Sequence, residues 1–177
     1  MLTGAKQSLN IGVVMGLGAK STGIMGFNHN YRFLSNFWPC KIRWMGMDFK
    51  DTESAYQATK VDPDLPQDEY YKLVDEIRNA SKPGIAKRLG AEIKLKGKQR
   101  KDWHDISLDV MYRLNRLKFS DPTLASKLLA TGDTYIEETN TWKDTFWGVC
   151  GGKGENHLGK ILMRVRDRLK GKEDESV

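Results

Sequence analysis

Apolar side chains recur at three- and four-residue spacing along most of the chain, which predicts a largely helical protein. Over residues 67–79, Tyr70, Leu73, Val74 and Ile77 form one stripe. The longest helix is expected from about Lys98 to Phe119, with Trp103, Ile106, Val110, Met111, Leu114 and Leu117 on its inner side. Leu158, Ile161, Leu162, Val165 and Leu169 mark a last helix, for which Asn156 is the expected cap. Punctuation supports two shorter helices. Ser81 with Pro83 opens one that runs to Leu89 and stops at Gly90, and Asp121-Pro122 opens another that ends by Gly132. The pattern changes to alternation on either side of Gly46, so residues 40–49 read as a β-hairpin. Residues 9–15 and 134–138 read as further strands.

One stretch breaks the hydrophobic pattern. Asp51-Thr-Glu-Ser-Ala-Tyr-Gln-Ala-Thr-Lys60 reads as a short helix capped by Asp51 or Thr52. At 3.6 residues per turn, Glu53, Tyr56, Gln57 and Lys60 share a face. An amphipathic helix would carry Leu, Ile or Val there. Because charged residues mostly lie at the surface, the face taken alone is expected to be solvated; the alternative is a polar pocket.

The 177 residues, with 39% hydrophobic content, fit one globular domain able to bury a core without staples. A net charge of +6 favours phosphorylated or nucleic-acid partners without specifying any chemistry. Cys40 and Cys150 form no CxxC and suit a reducing compartment. His29, His104 and His157 are isolated, so no metal is expected. Neither a membrane-spanning run nor a signal peptide is recognisable, and a cytoplasmic protein with no membrane partner is expected.

The remaining segments are less regular. Gly16-Leu-Gly-Ala-Lys-Ser-Thr22 lacks the spacing of a phosphate loop, and residues 1–22 are expected to form a hairpin or arm. Residues 23–38 combine aromatics, amides and Arg32, a mixture that can stack a base and grip a phosphate, or simply close turns. The basic run 94–101 is either a solvated face or a phosphate contact. Residues 139–156 form a Gly- and Trp-rich loop carrying Asp144. A charged tail follows Lys170, over 171–177, and is expected to be disordered.

Taken together, Tyr31-Arg-Phe-Leu-Ser-Asn-Phe37, Thr52-Glu-Ser-Ala-Tyr-Gln-Ala-Thr-Lys60, Leu128-Leu-Ala-Thr-Gly-Asp133 with Glu137, Asp144-Thr-Phe-Trp-Gly148 and Gly154-Glu-Asn-His-Leu-Gly159 resemble the NADAR family, also called YbiA-like. The motifs keep the family's order over about residues 24–170, leaving 1–22 outside. The resemblance implies an α+β fold, a mostly helical single domain with a small antiparallel sheet. It also implies N-glycosidase activity at a ribosyl C1, with no cofactor. Two substrate classes go with it: ADP-ribose attached to guanine in nucleic acid, and phosphoribosylamino-pyrimidine intermediates of riboflavin synthesis.

Breaking a C1–N bond builds positive charge on the ribose, which a carboxylate stabilises while a proton donor helps the base leave. Glu53 is the first candidate for the carboxylate, Asp144 the second acid and Glu137 a third. Lys60 lies two turns from Glu53, about 10 Å along a helix axis. Its amine would either attack an opened ribose aldehyde, which requires a depressed pKa, or bind phosphate or a carboxylate. Trp103, Trp142 and Trp147 are candidates to stack a base or wall the pocket, alongside Tyr56 and Gln57. Arg32, Ser35 and Asn36 are candidates to hold phosphate or ribose. Asn156 is another, although helix capping explains it equally well. The expected activity is removal of ADP-ribose from guanine bases. The alternatives are the same chemistry on the small riboflavin intermediates, and a non-catalytic ADP-ribose or nucleic-acid binding module. Oligomeric state is left open.

Overall fold

The computed structural model describes residues 23–171. The expected strand at 9–15, the arm before residue 23 and nearly all of the charged tail lie outside them. Element order is β1 (Ile24–Met25), a 3-10 helix (His29–Leu34), β2 (Pro39–Trp44), β3 (Met47–Asp51), α1 (Thr52–Ala58), α2 (Gln67–Arg78), α3 (Pro83–Leu95), α4 (Trp103–Lys118), α5 (Pro122–Leu129), β4 (Ile136–Glu137), β5 (Thr139–Asn140), β6 (Val149–Cys150) and α6 (His157–Leu169). The α+β, mostly helical architecture expected from the sequence is present. Among the described residues its sheet content is three separate two-stranded pieces. Of these β2–β3 is antiparallel, whereas β1 pairs with β4 and β5 with β6 in parallel. Among the described residues no helix is long and apolar enough to cross a membrane.

The hairpin places α1. Met45 and Gly46 both have positive φ, 51° and 73°, the geometry of a tight two-residue turn matched to strand twist. Ile42 and Phe49 pair across it and are buried. β3 then runs directly into the helix through Asp51, whose Oδ1 accepts from the Ser54 backbone N–H at 2.7 Å and from its hydroxyl at 2.8 Å. All seven residues of α1 are buried. A helix with Glu53, Tyr56 and Gln57 on one face is therefore an interior one, packed against α2, α3, α4 and the hairpin. Its polar face does not lie on the outer surface of the protein.

Two helix boundaries differ from the sequence expectation. Gly90 does not stop α3, which continues to Leu95. The glycine is instead a packing residue, because a Cβ there would lie 1.9 Å from Gln57 Oε1 on α1. Nor does α4 begin at Lys98. Residues 98–100 run as an extended edge beside the chain that leaves α1: Asp62 N donates to Lys98 O and Arg100 N to Lys60 O, both at 2.9 Å. The basic run is also partly neutralised, with Lys98 on Glu69, Lys96 on Glu92 and Arg100 on Asp102. In α6, Leu158, Ile161, Leu162 and Val165 join the core, while Leu169 is 38% exposed.

Candidate active site

The polar face of α1 opens onto a cavity of about 250 Å³. Glu53, Tyr56, Gln57 and Lys60 form one wall. The end of the 3-10 helix contributes Ser35, Asn36 and Phe37, and α3 contributes Lys87. The opposite wall comes from residues 138–147, with Glu138, Trp142, Asp144 and Trp147. Segments far apart in sequence thus meet around one space.

Glu53 is 6% exposed. Gln57 Nε2 donates to its Oε1 at 2.7 Å. Burial pushes its carboxyl pKa up, and the Gln57 hydrogen bond and the charges of Lys87 and Lys60 oppose that shift. Its backbone N–H donates to Asn36 O at 3.1 Å, which pins α1 to the Ser35–Asn36 turn. A second anchor lies beneath that turn. Lys118, 1% exposed, donates from Nζ to Ser35 O at 2.7 Å. Burial lowers its pKa to about 7, against the pull of Cys40 and Asp51.

Lys60 lies just beyond α1, which ends at Ala58, so the expected second helical turn is replaced by a tighter one in which Lys60 N donates to Gln57 O at 3.2 Å. Its Nζ sits over the Tyr56 and Trp103 rings, 5.3 and 5.5 Å from their centroids. Burial lowers its pKa to about 8; Glu53 opposes this, and Lys87 and Lys94 add to it. The depressed pKa required of a nucleophilic lysine is therefore present. Tyr56 packs edge-on between Trp103 and Trp147, at 4.9 and 5.6 Å, and its hydroxyl pKa is raised chiefly by burial.

The other expected residues fall into three groups. Ser35, Asn36, Asp144, Trp142 and Trp147 line the cavity. Asn36 does so with its amide committed to α4, donating to Met111 Sδ at 3.3 Å. Asp144 Oδ1 accepts from the Phe146 and Trp147 backbone N–H groups at 3.1 and 2.9 Å, so this acid also ties the loop together. Trp142 is 61% exposed at the mouth. Arg32 lies in an adjoining recess that shares Phe27, Ser35 and Phe37 with the cavity.

Trp103, Glu137 and Asn156 do not reach the cavity. Trp103 supports Tyr56 and Lys60 from behind. Glu137 accepts from Thr139 Oγ1 at 2.8 Å, and its neighbour Glu138 lines the wall instead. Consecutive residues of an extended segment face opposite ways, so only one of the pair can serve the cavity. Asn156 occupies the cap position of α6 in the left-handed region, φ 53°, with no side-chain cap bond. Its Nδ2 donates to Ile136 O at 2.9 Å and to Tyr135 Oη at 3.0 Å, while its Oδ1 accepts from Glu138 N at 3.0 Å. Asn156 is thus a brace for the strand that carries Glu138. Glu138 and Lys87 were missed in the sequence. The doublet Glu137-Glu138 was the only available signal for the first, and Lys87 is one of many surface lysines.

Comparison with known proteins gives a consistent result. A riboflavin biosynthesis protein of Vibrio vulnificus is 42% identical over 144 residues, 80% of this chain, but the match spans only 36% of that longer protein. The chloroplastic riboflavin biosynthesis protein PYRR of Zea mays is 39% identical over 148 residues, covering 77% of this chain and 23% of its own length. The N-glycosidase YbiA of Escherichia coli is 37% identical over 145 residues, 79% of this chain and 82% of that protein. The NMR structure of E. coli YbiA superposes with a TM-score of 0.70 at 32% identity, over 90% of this chain and 92% of that one. With the NADAR domain matched across residues 25–170, the chain belongs to the NADAR family.

Proposed function

We propose that the protein is an N-glycosidase, a hydrolase of the N-glycosyl bond, that removes ADP-ribose from ADP-ribosylated guanine bases in nucleic acid in the cytoplasm. The observation that carries the reading is that Glu53 and Lys60 enter one cavity whose mouth is bordered by the exposed rings of Phe37 and Trp142. The Glu53 carboxylate, desolvated and aligned by Gln57, stabilises the positive charge that develops at C1 and accepts a proton from the attacking water. Trp142 and Phe37 offer faces on which a base can stack. Arg32 in the adjoining recess suits a phosphate, with Phe27, Ser35 and Phe37 as the shared wall.

The charge distribution favours a polyanionic substrate. Lys87 stands at the cavity, Lys94 lies near enough to act on the charge of Lys60, and the chain carries a formal +6. Incubation with an ADP-ribosylated oligonucleotide is expected to release free ADP-ribose, with turnover falling as salt rises. No release under any salt condition rejects this substrate.

A second reading keeps the chemistry and takes phosphoribosylamino-pyrimidine intermediates of riboflavin synthesis as substrate. The Vibrio and maize relatives, named as riboflavin biosynthesis proteins, favour it. Turnover of such small molecules at rates that do not respond to salt, with none on oligonucleotide, would select it. A non-catalytic binding module is the reading in which neither substrate is cleaved while ADP-ribose still binds.

A further inference from the structure

We infer that Glu138 is the proton donor to the departing base, so that Glu53 and Glu138 divide the two chemical tasks of the cavity. The inference rests on the N-glycosidase reading above and assigns a role to a residue for which the sequence offered Asp144.

The two carboxyls face one cavity but are held differently. Glu53 comes from α1, with an amide donating to its Oε1 and the ammonium groups of Lys60 and Lys87 acting on its charge. Burial raises the Glu53 pKa as well, but these contacts oppose that rise and leave its carboxyl hydrogen-bonded in the form of an acceptor. Glu138 comes from the segment joining β4 to β5, and its Oε2 is buried with no hydrogen-bond partner among the described residues. Its backbone is fixed from both sides: Asn156 Oδ1 accepts from its N–H at 3.0 Å, and Val149 N donates to its carbonyl at 2.9 Å. Gly148 presses on the same carbonyl, where a Cβ would approach to 2.2 Å. The carboxyl therefore stands in the cavity wall on a clamped backbone, with one buried oxygen that a ligand atom could satisfy once the side chain turns toward it. Buried polar atoms without partners are uncommon and call for such an explanation.

Charge points the same way. The groups acting on Glu138 are Asp144 on the loop and Glu53 on α1, both negative, against Lys87 on α3. Burial first, and then the two negative neighbours, raises its pKa to about 7. A carboxyl that keeps its proton near neutrality is suited to general acid work. Asp144 is less suited, because its Oδ1 is engaged by two backbone N–H groups.

The step balances on one water. The C1–N bond breaks and its electron pair goes to the base, which takes the proton from Glu138 and leaves a carboxylate. Water adds to C1 and gives its proton to Glu53. Transfer of that proton through cavity solvent returns Glu138 to its acid form and Glu53 to its anion.

The test compares two oligonucleotides carrying ADP-ribosylated guanine, one of them methylated at guanine N7 so that the base already bears positive charge and needs no proton to leave. For the wild type, kcat/KM on the unmethylated substrate is expected to fall above about pH 7 and to hold on the methylated one. Glu138→Gln is expected to lose about 10²–10⁴-fold in kcat on the first substrate and less than about tenfold on the second. Equal losses on both substrates, no loss on either, or coincident wild-type pH profiles would overturn the assignment. If the variant does not fold, the two wild-type profiles decide. Failure of the wild type to release ADP-ribose from either substrate rejects the nucleic-acid N-glycosidase reading itself, and this inference with it.

Discussion

Gln57 Oε1 occupies the space that a side chain at residue 90 would need. A Cβ on Gly90 would lie 1.9 Å from that oxygen and 2.7 Å from the Gln57 amide carbon. In an exposed helix Gly→Ala gains about 1 kcal/mol. Here overpacking, at about 1–3 kcal/mol, wins. Gly90→Ala is therefore expected to lower the thermal midpoint. It is also expected to lower kcat, because the displaced amide is the one that orients Glu53. A midpoint that rises would show that Gln57 yields without cost.

Glu53→Gln keeps the shape of the side chain and removes its charge. Turnover is expected to fall by about 10²–10⁴-fold while ADP-ribose still binds, measured by single-turnover kinetics and calorimetry. Unchanged turnover would take Glu53 out of the mechanism.

With its pKa lowered to about 8, a fraction of Lys60 is neutral amine at pH 7. ADP-ribose released into the cavity can open to its aldehyde, so borohydride added during turnover is expected to trap a ribosyl adduct that peptide mass spectrometry places on Lys60, more efficiently at pH 8.5 than at pH 6.5. An untrapped lysine leaves the carboxylate route alone and assigns the amine to charge pairing.

Lys118 makes stability depend on pH in a direction set by its lowered pKa. Between about 7 and its ordinary 10.5, the unfolded lysine holds a proton that the folded one has lost. The unfolded state binds more protons in that window, so this group's contribution rises with pH there, by up to about 1.4 kcal/mol per unit. Urea denaturation of Lys118→Met against the wild type is expected to show the difference shifting in the wild type's favour from pH 7 to 9. A difference that stays constant would place the folded pKa elsewhere.

Trp142 is exposed and outside the buried core, so Trp142→Ala is expected to leave the thermal midpoint within about 1 °C, a surface change of less than 0.5 kcal/mol. KM for an oligonucleotide is expected to rise by an amount matching the loss of one stacked base, about 1–3 kcal/mol. An unaffected KM would exclude the ring as a stacking platform.

Local signals were the legible ones. Asp51 as a cap, the Gly46 turn and the stripes of α2, α4 and α6 each depend on residues close in sequence, and each is present. The grouping of Glu53, Tyr56, Gln57 and Lys60 was legible as a face, though its burial was not, since that depends on which helices pack over it. Gly90 reads as a stop signal until Gln57 of another helix is brought against it. The α4 start was hidden for the same reason: residues 98–100 are held extended by residues 60–62. The choice between Glu137 and Glu138 depends on which way a two-residue strand faces, and nothing in the doublet itself decides that. Asn156 was recognised by position, whereas its work is done on a strand some twenty residues earlier.

Burial of every residue of α1 carries a dynamic consequence. A short helix that is open only toward the cavity has little room to fray locally, because its turns can unwind only when α2, α3 and α4 part from it together. Its amide protons should exchange with deuterium at the slow rate of global opening, alongside the apolar centre of the molecule and well behind the tryptophan-bearing loop. Precision at the reacting carbon would then be guaranteed by the same cooperativity that keeps the protein folded.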